Sequence, residues 1–431
     1  MIELVMMYRT ICTALMFGFV VSVVAHGETS TDWPAWRGPD ASGHIRRGTY
    51  PDKFDADHFL WRIELPGKGC STPILFGEQI FLTAPVDGND ALLCFGLDGS
   101  EQWRTTFGKE NAGKHRNGSG SNASPVTDGD AVYVYFKSGT FAAVERDGNV
   151  RWKMDLVARF GPDTLFWDHG TSPVLTEKHV IMARMHQGES WLAAFDKATG
   201  EIAWKVARNF ATPVECDHGY TTPLVIRYAD KEAILVWGAE HVTIHDAADG
   251  TVMWSCGGFN PEENKLWPAV ASPVVAGDTV VVAYGRNDRG IPRLHGIQLS
   301  GAGDVTATHH RWKREDVGTF VPTPVVHEGR VIVVGDQGEV ECLQPDTGET
   351  VWKDALPKHR AKFYASPLIA GDKLYAVRED GVVFVVSIAG DQFQLLAEND
   401  MGEPIIGSPI PAGNRLLLRG EQHLFCVAAE E

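Results

Sequence analysis

The sequence predicts an all-β fold, an eight-bladed β-propeller of four-stranded antiparallel blades, and three observations carry that prediction. Ser-Pro or Thr-Pro recurs at Pro73, Pro125, Pro173, Pro223, Pro273, Pro324, Pro367 and Pro409. The spacings are 52, 48, 50, 50, 51, 43 and 42 residues, close to the length of one propeller blade. Tryptophans recur late in the repeats, at Trp103, Trp152, Trp204, Trp254, Trp312 and Trp352, with Leu395 and Leu396 in the corresponding place of the seventh. The eighth repeat, opening at Ser408, has text for three strands, whereas residues 59–65 carry Trp61 with no opener before it. Joining the two closes the ring, the N-terminal strand completing the last blade and leaving no open sheet edge.

Residues 323–352, TPVVHEGRVIVVGDQGEVECLQPDTGETVW, show the unit most clearly. Gly and Asp at 328–329, 336–338 and 346–348 supply turn geometries, and the β-branched runs between them suit half-buried strands. Alternating strand direction then fixes the loops. The connections between blades share one face with the second-to-third-strand turns, and the tight Gly-Asp and Thr-Gly turns lie on the other. From closing Trp to next opener the connections span 11, 21, 20, 18, 18, 11 and 14 residues. Four long loops therefore build up one arc of the first face, where binding sites on rigid scaffolds usually lie.

Three segments follow in chain order. Residues 1–25 read as a secretory signal: Arg9 precedes an uncharged stretch from Thr10 to Ala25 that ends in small residues. Cys12 has no lipobox around it, so no lipid anchor is expected, and after signal removal no transmembrane segment is expected. Residues 26–58 are an N-terminal clasp, with Trp33, Pro34, Trp36 and Pro39 suited to packing onto the ring; a ligand-binding role for them is the sharper alternative. Residues 59–431 form the propeller.

A net charge of −17 argues against nucleic acid or an anionic membrane surface as the partner. Cys94, Cys342 and Cys426 occupy a repeat position held elsewhere by Ala143 and Ala194, so they read as small buried hydrophobes. Cys70, Cys216 and Cys256 fall in loops or at strand ends, where a disulfide between two of them is an open alternative.

The long loops hold the candidate site. Gly118-x-Gly120-x-x-Ala123 has dinucleotide-fingerprint spacing, but a strand rather than a helix follows, so that reading is rejected. Asp168-His169-Gly170 and Asp217-His218-Gly219 stand just before two neighbouring innermost strands. Both imidazoles are expected near the channel mouth, where they would hold a metal or act as acid and base, each oriented by its aspartate. The competing reading has each Asp capping a turn and each His packed beside an aromatic ring. Tyr220, Arg116, Trp267 and Tyr364 complete the expected mouth, although packing alone would also account for the aromatics. No Gly-x-Ser-x-Gly, His-Glu-x-x-His, Cys-x-x-Cys or calcium-loop pattern occurs.

The phrases 194–204 (AFDKATGEIAW) and 343–352 (LQPDTGETVW) resemble the tryptophan-docking motif of pyrroloquinoline-quinone-type propellers, and Trp33-Pro34-x-Trp36-x-Gly38 is similar to the start of quinoprotein dehydrogenases. That superfamily includes quinone-dependent dehydrogenases and also BamB, a non-enzymatic outer-membrane assembly factor. The dehydrogenase branch implies adjacent cysteines over the cofactor and carboxylate and amide ligands for a cation. The chain lacks the first, and the second cannot be placed on its residues. The BamB branch implies a lipid-anchoring cysteine, which is missing. The resemblance thus favours a periplasmic or secreted, monomeric binding scaffold for a protein partner in the envelope or outside the cell. It implies no cofactor, pyrroloquinoline quinone included, and an enzymatic role is the weaker expectation. The alternative is a divergent quinoprotein-type oxidoreductase with its site over the central channel.

Overall fold

The structure, a computed structural model, describes residues 32–54 and 59–429. The expected signal segment 1–25, and Cys12 within it, lie outside the described residues. Eight antiparallel sheets follow one another around a central channel. Blades 1 to 7 span residues 74–109, 126–155, 174–207, 224–256, 274–314, 325–355 and 368–400, and blade 8 joins residues 410–428 to Phe59–Glu64. Its closing register sets Trp61 opposite Cys426, Arg62 opposite Phe425 and Ile63 opposite Leu424.

Two sequence signatures acquire physical reasons here. Most closing tryptophans lie directly across from a small third-strand residue: Cys94 faces Trp103, Ala143 faces Trp152, Ala194 faces Trp204, Gly296 faces Trp312 and Cys342 faces Trp352, whereas Trp254 faces Ile244. A larger side chain there would compete with the indole for one site on the pleat. The indole then reaches into the next blade. Trp61 Nε1–H donates to Leu97 O (2.9 Å), Trp103 to Arg146 O (2.9 Å) and Trp204 to Ala247 O (3.1 Å). The turn beneath needs glycine. At Gly99, φ is +82° and a Cβ would stand 2.8 Å from the Trp61 ring.

The Ser or Thr before each opening proline forms a second ring, nearer the axis. Thr72 N–H donates to Ser124 Oγ, Ser124 to Ser172, Ser172 to Thr222, Thr222 to Ser272, Ser272 to Thr323, Thr323 to Ser366 and Ser366 to Ser408, at 2.9–3.1 Å. Ser408 N–H returns to Thr72 Oγ1 at 3.1 Å and closes the circle. The hydroxyl is therefore a joint between blades, and proline can follow because it starts an innermost strand whose channel side is an edge.

Residues 32–45 cross the channel beneath this circle. Trp33 exchanges backbone hydrogen bonds with Leu75 of blade 1 (2.8 and 2.9 Å), and Thr127 N–H of blade 2 donates to Pro34 O (2.9 Å). Three residues on, the Arg37 guanidinium donates to Pro324 O of blade 6 (2.6 Å) and Pro367 O of blade 7 (2.5 Å). Residues 44–45 then pair parallel with 369–370. Blades 2 and 6 are opposite in a ring of eight, so residues 34–37 stride across the axis and Trp36 is held near it. The segment continues along blade 7, where Tyr375 Oη–H donates to Pro51 O (2.8 Å) and Phe54 N–H to Asn399 Oδ1 (2.8 Å).

The closing strand has an outermost position, so Trp61 is only partly buried. Trp61→Ala is expected to cost about 2–3 kcal/mol, below the range for a fully buried tryptophan, through the lost indole contact and the loss of its bond to Leu97 O, which would keep only Arg415 at 3.4 Å. Urea unfolding measures it; a midpoint equal to that of the unaltered protein would contradict closure through residues 59–64.

Candidate functional site: a floored bowl at the channel mouth

Above the hydroxyl circle the channel opens as a bowl of about 460 Å³, within the usual range for ligand pockets. Trp36 and the eight hydroxyl residues line its base, and Trp167, Tyr220, Phe320 and Tyr364 line its walls. Each hydroxyl oxygen accepts a backbone N–H, and no described residue accepts its O–H proton in return. The base is therefore an aromatic plate surrounded by unspent donors.

The carboxylates of the bowl are all engaged. Asp168 accepts from Lys114 N–H (2.8 Å), from His115 N–H (3.3 Å) and from the Lys137 ammonium (2.7 Å), and so ties the loop between blades 1 and 2 to the loop between blades 2 and 3. Asp288 holds Arg286 in a two-point pair, 2.7 Å at each contact, and the Arg286 guanidinium lies over the Phe320 ring at 4.4 Å. Asp336 accepts from Phe320 N–H (2.6 Å), Val321 N–H (3.1 Å) and Asn287 (3.0 Å), while burial pushes its carboxyl above the ordinary range. At the rim Glu379 binds Asn117 (2.6 Å), Arg116 (3.2 Å) and Lys362 N–H (3.0 Å). Two cations differ. Lys362 Nζ donates to Asp288 O (3.0 Å), and neither it nor the exposed Arg289 has a carboxylate partner among the described residues.

The expected pair of channel-facing histidines is corrected by this geometry. His169 is 4% exposed and packs edge-on to Tyr135 at 4.7 Å, with neither ring nitrogen hydrogen-bonded. Burial pulls its pKa down to about 4. Neighbouring residues of an extended segment point opposite ways, and Asp168 takes the bowl side. His218 is also buried: its Nδ1 lies 3.4 Å from Phe166 N–H, and Asp217 reaches only to 3.9 Å from its Nε2. Neither imidazole lines the bowl, so the two share no ligand there, and no group of three or more metal-ligating side chains occurs among the described residues. Trp267, expected at the mouth, is instead buried edge-on to Tyr284 at 5.6 Å. Asp168, Tyr220 and Tyr364 do line the bowl, and Arg116 stands at its rim on Glu379.

The six described cysteines are free. The three that left a disulfide open have separate partners: Cys70 donates to Asn117 O (3.4 Å), Cys216 to Asn264 O (3.3 Å), and Cys256 lies 3.5 Å from His310 Nε2.

Comparison with known proteins agrees with this architecture. A family model described as outer membrane protein assembly factor BamB matches residues 55–213, 142–300, 295–392 and 337–428, together nearly the whole ring. The chain belongs to the BamB family. It is 25% identical over 339 residues to the outer membrane protein assembly factor BamB of Yersinia pestis, covering 74% of this chain and 75% of that one. Among solved structures, BamB from Moraxella catarrhalis superposes with a TM-score of 0.60 at 15% identity, over 86% of this chain and 98% of that one. A europium-containing methanol dehydrogenase superposes with a TM-score of 0.65 at 10% identity, over 92% and 91%. At those identities the structural likenesses show the fold alone.

Within this BamB-family ring, Trp36, Arg286, Arg289, Asp336 and Lys362 were missed as mouth residues. A positional signal existed for four of them: Asp336, Arg286 and Arg289 follow second strands and Lys362 lies between blades 6 and 7, and strand alternation puts both kinds of connection on the mouth face. Trp36 gave none, because nothing local shows that its segment passes beneath the ring.

Proposed function

We propose that the protein is a periplasmic or secreted interaction scaffold whose working face is the channel mouth, and that its partner is a protein. The observation that carries this reading is the BamB-family match along the ring, since the matched relative is by name an assembly factor. The chemistry of the mouth supports it. Asp168, Asp288, Asp336 and Glu379 are spent on holding loops, which leaves no poised general base among them. No helix among the described residues is long and apolar enough to cross a membrane.

Protein isolated from its own host is expected to carry a polypeptide partner in native mass spectrometry. Titration of purified protein with pyrroloquinoline quinone and calcium is expected to give no saturable absorbance change and no dye-coupled alcohol oxidation. A bound quinone with turnover would transfer the protein to the oxidoreductase reading.

A further inference from the structure

The exposed large apolar side chains are unevenly placed. Of the seven among the described residues, Leu60, Val150 and Val252 sit singly on the fourth strands of their blades. The other four, Phe166, Val214, Leu266 and Ile291, all lie on loops of the mouth face around blades 3 to 5, at 60%, 64%, 40% and 42% exposure. Hydrogen bonds, one of them through the Arg286 side chain, tie three of them together. Leu266 N–H donates to Val214 O (3.0 Å), the Arg286 guanidinium to Leu266 O (2.9 Å), and Arg286 N–H to Ile291 O (2.8 Å). Phe166 packs edge-on to Trp167 at 4.7 Å, and Trp167 is itself a wall of the bowl. The exposed apolar residues therefore border the aromatic bowl on one side, as apolar residues of protein-docking surfaces do.

Charge selects the occupant. The chain carries −17 overall, yet the carboxylates lining the bowl are consumed internally while Arg289 and Lys362 have no carboxylate partner among the described residues. Lys362 Nζ bonds the carbonyl of Asp288, the residue before Arg289, so the two cations come from adjoining stretches of the wall. The hydroxyl circle adds further donors and no unspent acceptor charge. A carboxylate is the group this lining is short of, and an aromatic ring is what the Trp36 plate and its walls would stack.

We propose that the bowl and the apolar residues bordering it dock an extended segment of a partner protein in which an aromatic side chain is flanked by aspartate or glutamate. The aromatic ring enters the bowl over Trp36, a flanking carboxylate meets Arg289 and Lys362, and neighbouring apolar residues cover Phe166, Leu266 and Ile291. This rests on the scaffold reading and names the partner's recognition element.

Selection from a displayed library of random peptides against the full chain tests it. The expected consensus is an aromatic residue with acidic neighbours, and its affinity falls about tenfold or more in the doubly substituted R289E/K362E protein, with a matching loss at high salt. Melting curves establish that the variant is folded. A basic consensus, no enrichment, or unchanged affinity in the variant overturns the proposal. So does phenylacetate binding as tightly as any peptide, which would make the bowl a small-molecule site. If no peptide enriches while host-purified protein still carries a partner, this docking site is wrong and the scaffold reading stands.

Discussion

Arg37→Ala is expected to lower stability by about 2–5 kcal/mol, since a buried carbonyl left without its donor costs about 1–3 kcal/mol and the guanidinium serves Pro324 and Pro367. The side chain is 3% exposed and spans the channel to Pro324 and Pro367, with a third bond to Ser42 O at 3.0 Å. Burial pulls its pKa down to about 9, so it stays charged at neutral pH. Alanine would leave the Pro324 and Pro367 carbonyls without this donor, Ser42 O keeping Val326 N–H, and would open a void where residues 34–37 cross the axis. Lysine would not restore the fork, because a single ammonium cannot meet two strand edges at once. Arg289→Ala is the control, since an exposed, unpaired arginine should change stability by no more than about 0.5 kcal/mol. Equal unfolding midpoints for the two variants would refute the structural role given to residues 32–45.

Acid should destabilise the ring well above the usual carboxylate range. Burial pulls His169 and His245 down to about 4, and it pulls His295 and, with help from His327 and Arg46, His44 down to about 3. An unfolded chain protonates these groups near pH 6.5. Their folded pKa values are depressed, so the unfolded state binds protons first as pH falls. Stability is complete above about pH 6.5 and is lost towards pH 4, each histidine contributing about 1.4 kcal/mol per pH unit inside that window. Asp90, which burial raises to about 6, acts in the opposite sense and offsets about one of the four. These five groups together give about 4 kcal/mol per pH unit near pH 5; His186, His218, His241 and His327, also lowered by burial, add in the same sense and the raised Asp336 against it, and urea titrations at stepped pH measure the sum. His169→Phe should remove one proton's share, because neither nitrogen of that ring is bonded. A pH-independent midpoint between 6.5 and 4.5 would contradict the burial of these rings.

The ring was legible because its joints are written locally. Every opening hydroxyl recurs in Ser-Pro or Thr-Pro, and all but one of the docking indoles from Trp103 to Trp352 face a residue small enough to read as a repeat position, the exception being Trp254 opposite Ile244. Closure was legible because Trp61 lacked an opener. The mouth was less so. Sequence places His169 and His218 beside the channel, but whether a ring turns to the bowl or into the interblade packing depends on contacts such as Tyr135, some 34 residues away by number. The engagement of Asp168 by Lys137, and of Asp336 by a loop opposite its own turn, is likewise set by tertiary approach. Trp36 shows the same limit: its neighbours suggest a clasp, and only the partners of Pro34 and Arg37 put it on the axis.

Site-specific photo-crosslinking in the native host tests the working face most directly. A photoreactive residue at Phe166 or Ile291, on the mouth, is expected to capture a polypeptide partner, whereas the same residue at Leu60 or Val252, exposed on fourth strands, is expected to capture none. Adducts from Leu60 or Val252 with nothing from the mouth, or no adduct from any of the four positions, would contradict the account.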